Sequence, residues 1–115
     1  MSITEATTAP IEARQFIGGE WAESESGRTF EDLDPFTGEV VAHVPAGTRD
    51  DAKRAVEAAA DAFPAWSRTP PAERQRLFLA AADVLESRRD EIVSLLARET
   101  GSSFGFGMFH RGTPR

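Results

Sequence analysis

Several groups of residues have types and spacing that invite a chemical reading. Gly101, Gly105 and Gly107 resemble a phosphate-cradling loop, in which backbone N–H groups gather around an anion. Their spacing is not G-x-G-x-x-G, no Lys-Ser/Thr pair follows, and no strand-like run precedes them. A helix stop followed by a flexible loop is the expected structure. His43 and His110 are the two histidines, one in strand-like sequence and one near the end of the chain. So far apart, they are expected to be structural or solvent-facing and not metal ligands. The carboxylates Glu23, Glu25, Glu31, Asp32 and Asp34 are dense enough to offer an acid/base pair. They fall in polar, turn-like sequence with no apolar setting to raise a pKa, so solvated charges are expected. Arg74, Arg76, Arg88 and Arg89 alternate with Glu73, Glu86, Asp90 and Glu91, the pattern of a salted helix face. Phe104, Phe106, Met108 and Phe109 read as side chains that pack against more of a domain. No catalytic, cofactor-binding or metal-ligating residue is assigned.

Composition narrows the function further. The 115 residues contain no cysteine, which removes a disulfide framework, a thiolate zinc site and a cysteine nucleophile. With 19 acidic against 13 basic residues the net charge is -6, the wrong sign for neutralising nucleic-acid phosphates. No stretch of about 18 apolar residues occurs, so no membrane span is expected. The first ten residues lack a basic segment and an apolar core, so they do not form a secretory signal, and a cytoplasmic location is expected. Apolar residues make up 40%, which argues against wholesale disorder. Eight Phe and two Trp concentrate the available burial in a few aromatic anchors.

The elements that would position these residues follow from periodicity. Residues 1–13 are small and polar and read as a disordered leader. Gln15-Phe16-Ile17, Gly18-Gly19 and Glu20-Trp21 read as a tight hairpin, because both turn residues can take positive φ. Thr29–Asp34 and Glu39–Val44 read as a second hairpin around Pro35-Phe36-Thr37-Gly38. Simple alternation there would put Val40, Ala42 and Val44 on one face, with Val41 and His43 on the other. From Thr48 the period becomes helical: Thr48-x-x-Asp51 resembles a capping box. Ala52, Ala55, Val56, Ala59, Ala62, Phe63 and Trp66 then recur at helical spacing. Pro64 is expected to end or kink this helix near Phe63. A second helix is expected after Thr69, with Pro70 at its first position. Its apolar stripe is Leu77, Phe78, Ala81, Ala82, Leu85, Ile92, Leu95 and Leu96. Ser87-x-x-Asp90 allows either a kink or two abutting helices, and Gly101 is the natural stop. Two short hairpins followed by two or three amphipathic helices make an incomplete α+β piece, too narrow in either layer to cover the other.

The order of motifs carries a family resemblance. Phe16-Ile17-Gly18-Gly19-Glu20-Trp21 and Asp34-Pro35-Phe36-Thr37-Gly38-Glu39-Val40 are similar to the opening of the NAD(P)-dependent aldehyde dehydrogenase superfamily. Residues 55–66, Pro71-Ala72-Glu73-Arg74 and Leu95-Leu96-Ala97-Arg98-Glu99-Thr100-Gly101 continue the same series. The resemblance covers residues 15–109, and 101–109 look more particularly like the benzaldehyde, vanillin and salicylaldehyde dehydrogenase-like branch.

The resemblance implies an α/β fold with a Rossmann-like cofactor domain, a catalytic domain and an oligomerisation arm. It implies NAD or NADP as cofactor, an aldehyde substrate and a homo-oligomer for the full-length family. The implied reaction is cysteine attack on the aldehyde, hydride transfer, and hydrolysis of the thioester with a glutamate's help. None of the family's catalytic or cofactor-contacting residues maps onto a position here. The expectation is therefore that residues 14–109 are the N-terminal part of the aldehyde dehydrogenase domain and residues 110–115 an aberrant tail. Such a truncated or frameshifted piece would be inactive alone and bind no cofactor, nucleic acid or membrane. The alternative is a small non-catalytic helical protein-interaction module, docking through its apolar helix stripes.

Overall fold

The computed structural model describes residues 9–102. Five strands precede three helices: β1 (Ile11–Glu12), β2 (Gln15–Ile17), β3 (Glu20–Ala22), β4 (Thr29–Leu33), β5 (Val40–Pro45), α1 (Arg49–Ser67), α2 (Pro71–Ser87) and α3 (Arg89–Thr100). The strands form a three-stranded sheet in the order β1-β5-β4 and a separate β2-β3 ribbon. The arrangement is an incomplete α+β fold.

Both expected hairpins are present. In the ribbon, Phe16 stands opposite Trp21, and Gly18 and Gly19 turn the chain with φ of 63° and 85°, values that L side chains resist. The β4–β5 turn is held by Asp34, whose carboxylate accepts from the backbone N–H of Phe36 at 2.8 Å and of Thr37 at 3.1 Å. The clean alternation expected along β5 is broken. Asp32 stands opposite Ala42 but Leu33 opposite Val40, so Val41 is the extra residue of a bulge. Val41 and Ala42 are consecutive and both buried.

The leader expected over residues 1–13 is interrupted by structure. Ile11 and Glu12 form β1, pairing parallel with Ala42 and His43 of β5, and the Ala13 N–H extends the ladder to the His43 carbonyl at 3.0 Å. A two-residue parallel pairing has no periodicity of its own, and its partner lies thirty-one positions away for Glu12 and His43.

α1 begins as its capping box requires. Thr48 Oγ1 accepts from the Asp51 N–H at 3.1 Å, and Asp51 Oδ2 accepts from the Thr48 N–H at 2.8 Å. Pro64 does not end the helix, which continues to Ser67. Proline removes one donor, the partner of the Ala60 carbonyl, and that region is exposed to water. The final turn is closed by the N–H groups of Arg68 and Thr69, bound to the Ala65 and Trp66 carbonyls at 3.2 and 3.0 Å. Pro70 is the N-cap of α2 and Pro71 its first helical residue, one position later than expected. Two abutting helices, not one kinked helix, follow. Ser87 does not recap α3, because its hydroxyl donates back to the Val84 carbonyl at 2.7 Å.

The core is small. Val41, Ala42 and Val93 are the buried apolar residues among those described, with Ser24 and Asp51 the buried polar ones. The chain has a radius of gyration of 18.0 Å and extends 58 × 45 × 17 Å. A compact domain of this length has about 13 Å. Its layers are laid out side by side and not closed over one another.

Candidate functional site

Among the described residues a highly connected polar group is Asp51, at the junction of the ribbon, the loop after β5 and the first turn of α1. Only 3% of it is exposed. Oδ2 accepts from the Thr48 N–H and from Ser24 Oγ at 2.7 Å, with Gln15 Nε2 at 3.5 Å. Oδ1 accepts from Arg54 at 2.6 Å and from the Glu25 N–H at 3.1 Å. Ser24 Oγ also lies 2.7 Å from the Ala46 carbonyl oxygen, so its single proton serves two acceptors. The Thr48 N–H first, then the Ser24 hydroxyl, hold the Asp51 carboxyl well below the usual carboxylate range. Burial acts in the opposite sense, and Arg54 and the Glu25 N–H add to the lowering.

A carboxylate with this many donors is a fixed anion and not a proton carrier. Beside it an open cleft of about 400 Å³ is lined by Gln15, Phe16, Ile17, Thr48, Asp51 and Ala55, among others. Gln15 Oε1 is buried there without a hydrogen-bond partner among the described residues. A lone amide acceptor and an occupied carboxylate do not make a nucleophile or a general base.

The remaining residues singled out by type do not converge. Glu25 accepts from Thr48 Oγ1 at 3.3 Å, Asp34 holds its turn, and Glu31 stands opposite His43. Among the described residues no cluster of His, Cys, Asp and Glu could hold a metal ion, and no helix is long and apolar enough to cross a membrane. His43 is engaged: its Nδ1 lies 2.7 Å from Glu12 Oε1, and this hydrogen bond and charge raise its pKa. Arg76 pairs with Glu73 at 2.5 Å, Arg88 with Glu91 at 2.6 Å, and Arg89 with Glu86, as a salted face requires. Gly105, Gly107, His110 and the run from Phe104 to Phe109 lie outside the described residues.

Arg74 departs from the expected pattern. Its guanidinium donates to the Trp66 and Ser67 carbonyls, both at 3.0 Å, and lies 5.3 Å from the Trp66 ring centroid. It therefore caps the C-terminus of α1 from α2 and stacks on an aromatic face. Trp66 in turn meets Phe78 edge-on at 6.3 Å. Of the roles missed from sequence, those of Gln15, Ser24 and Arg74 run to partners on other elements, while Arg54 reaches Asp51 within α1. The capping box at Asp51 is the one local signal that pointed to the junction.

Among the described residues, the helices leave much apolar side chain exposed. On α1, Ala58 faces the ribbon, where a methyl added at Gly18 would lie 3.8 Å from it. The adjoining stripe leaves Val56 68% and Phe63 64% exposed. α2 has no buried residue, although Leu77, Phe78, Leu79, Val84 and Leu85 surround much of its circumference. A helix apolar on several sides is one that a domain encloses.

Comparison with known proteins identifies the domain. The model of the aldehyde dehydrogenase family matches residues 21–111, and the chain belongs to that family. It is 40% identical over 108 residues to malonate-semialdehyde dehydrogenase 1 of Geobacillus thermodenitrificans, covering 92% of this chain and 22% of that one. It is 42% identical over 90 residues to the mitochondrial benzaldehyde dehydrogenase of Antirrhinum majus, covering 76% and 17%. The crystal structure of a salicylaldehyde dehydrogenase from Pseudomonas putida G7, complexed with salicylaldehyde, superposes with a TM-score of 0.82 at 35% identity. That match covers 86% of this chain and 20% of the other. The chain spans about a fifth of the length of the relatives it matches. The family is one of NAD(P)-dependent enzymes, and the 115 residues lack the cysteine that its turnover requires.

Proposed function

We propose that these residues are the N-terminal segment of an NAD(P)-dependent aldehyde dehydrogenase that oxidises aromatic aldehydes to carboxylic acids. By themselves they bind no dinucleotide and turn nothing over. The observation that carries this reading is the family match over residues 21–111, with which the uncovered apolar surface of α1 and α2 accords by leaving room for a further layer of domain. In this role the segment supplies structure: the Asp51 junction locks ribbon to helix, Arg74 locks α1 to α2, and the exposed stripes receive the rest of the fold. The cytoplasmic location expected from the sequence and the homo-oligomer implied by the resemblance belong to the same proposal. The aromatic class is supported by the benzaldehyde and salicylaldehyde dehydrogenases among the similar proteins. The malonate-semialdehyde enzyme is as similar over this segment, so the test must separate the two.

Residues 15–109 exchanged for the matching segment of the Antirrhinum enzyme and of the Geobacillus enzyme provide that test. Dinucleotide reduction by the first chimera with benzaldehyde, at near-parental kcat/KM and with a clear loss in the second chimera on malonate semialdehyde, is the expected result. The reverse pattern overturns the aromatic assignment. Failure of both chimeras, or turnover by the free 115-residue chain, overturns the segment reading.

A further inference from the structure

One rung of the three-stranded sheet has an unusual composition. His43 lies on the central strand β5. Its partner on β1 is Glu12, and its partner on β4 is Glu31. A single imidazole is thus flanked across the sheet by two carboxylates, one on each neighbouring strand. The contact on the β1 side is direct, Nδ1 to Oε1 at 2.7 Å, with the Glu12 side chain 75% exposed and that of His43 34% exposed.

Among the described residues β1 has few other anchors. It is two residues long, it is an edge strand, and it pairs in parallel, the less stable ladder per residue. Ile11 is 42% exposed, so apolar burial anchors it only in part. The Ala13 N–H to His43 carbonyl bond sits at the same rung as the ion pair. Among the described residues, the side-chain ion pair that fixes β1 to the sheet is the one at His43.

We propose that the Glu12–His43–Glu31 rung is a proton-operated catch, holding β1 more firmly on the sheet while His43 is protonated and loosening it when the proton leaves. The protonated ring donates a charge-assisted bond to Glu12 and balances the charge of Glu31. The neutral ring retains one N–H and no charge, so the two glutamates lose their compensating charge and the outer edge of β5 opens more often. The raised pKa of His43 has the matching sign. Docking contributed by a group whose pKa rises on docking is fully present below its undocked value, about 6.5 for histidine. It is lost as pH rises through the higher docked value.

Amide hydrogen exchange of the full 115-residue chain, resolved at Ala13 and corrected for intrinsic exchange, reads the catch directly. Protection at Ala13 is expected to fall about two- to fivefold between roughly pH 5.5 and roughly pH 9, the worth of an exposed ion pair. The midpoint should coincide with titration of the His43 ring protons. Glu12→Gln removes a largely exposed carboxylate without disturbing the core, and should abolish the pH dependence while lowering protection at acidic pH. PH-independent protection in the native chain, a midpoint away from that of His43, or an unchanged profile in Glu12→Gln overturns the proposal.

Discussion

Asp51 shows how much a single side chain can organise when its donors come from several elements. Two of them, the Thr48 N–H and Arg54, are local to α1, and the first is met in the sequence as an ordinary capping box. The others, Ser24 and the Glu25 N–H, are twenty-seven and twenty-six residues away, and no pattern in the chain announces them. Ser24→Ala removes a 2.7 Å bond to a carboxylate that is 3% exposed and leaves the Ala46 carbonyl without its hydroxyl partner. Leaving buried groups unsatisfied costs about 1–3 kcal/mol, and urea unfolding followed by circular dichroism should show a loss in that range. The acid limb of stability carries a second signature. A carboxyl held below its usual range contributes stability that is present above about pH 4 and lost as pH falls through the lower folded value. Removing one donor to the charged form raises that folded value, so acid unfolding of the Ser24→Ala chain should begin at a higher pH. A loss below about 0.5 kcal/mol, the range of an ordinary surface substitution, would show that Ser24 is incidental.

At the scale of elements, local chemistry was legible and long-range pairing was not. The Gly-Gly ribbon, the Pro-to-Gly turn, the Thr48 capping box and the Gly101 stop each rest on residues within a few positions of one another. Each appears in the structure. The β1–β5 pairing, the bulge at Val41 and the Arg74 cap depend on partners brought close only by the fold. Pro64 misled for a different reason: its missing N–H leaves one exposed carbonyl to water, too small a loss to stop a helix whose last turn is capped from α2. Gly101 offers a quantitative check on the local reading. It ends α3 with φ of 67°, and a Cβ there would approach Pro35 Cγ to 3.0 Å. Gly27 has nearly the same φ, 65°, with nothing near its virtual Cβ. An L residue in this conformation costs about 1–2 kcal/mol. Gly27→Ala should therefore lower stability by about 1 kcal/mol and Gly101→Ala by more, the excess reporting the contact between the end of α3 and the β4–β5 turn. Equal losses in thermal unfolding would mean that Pro35 gives way freely.

At the scale of the whole molecule, the governing fact is that the helices have more apolar surface than the strands can cover. The family match explains why. Residues 21–111 match the family, whose relatives are about four times as long as this chain, and the unpaired stripes leave faces on which further layers can pack. The sequence carried part of this message in its periodicity, since Val56, Phe63 and Trp66 recur on one side of α1, but it gave α2 a single stripe where the structure also exposes Leu79 and Val84. It could not say which surface would meet which partner, because a stripe defines a face and not its occupant. Large contiguous apolar patches drive association when nothing covers them. The free chain should therefore enhance the fluorescence of an apolar-surface dye and sediment as concentration-dependent oligomers. Phe63→Gln together with Val56→Gln replaces side chains already 64% and 68% exposed, so helix content should stay unchanged while dye binding and self-association both fall. A native chain that sediments as a dye-free monomer would show that the stripes are already covered, which would remove the physical basis for a missing layer.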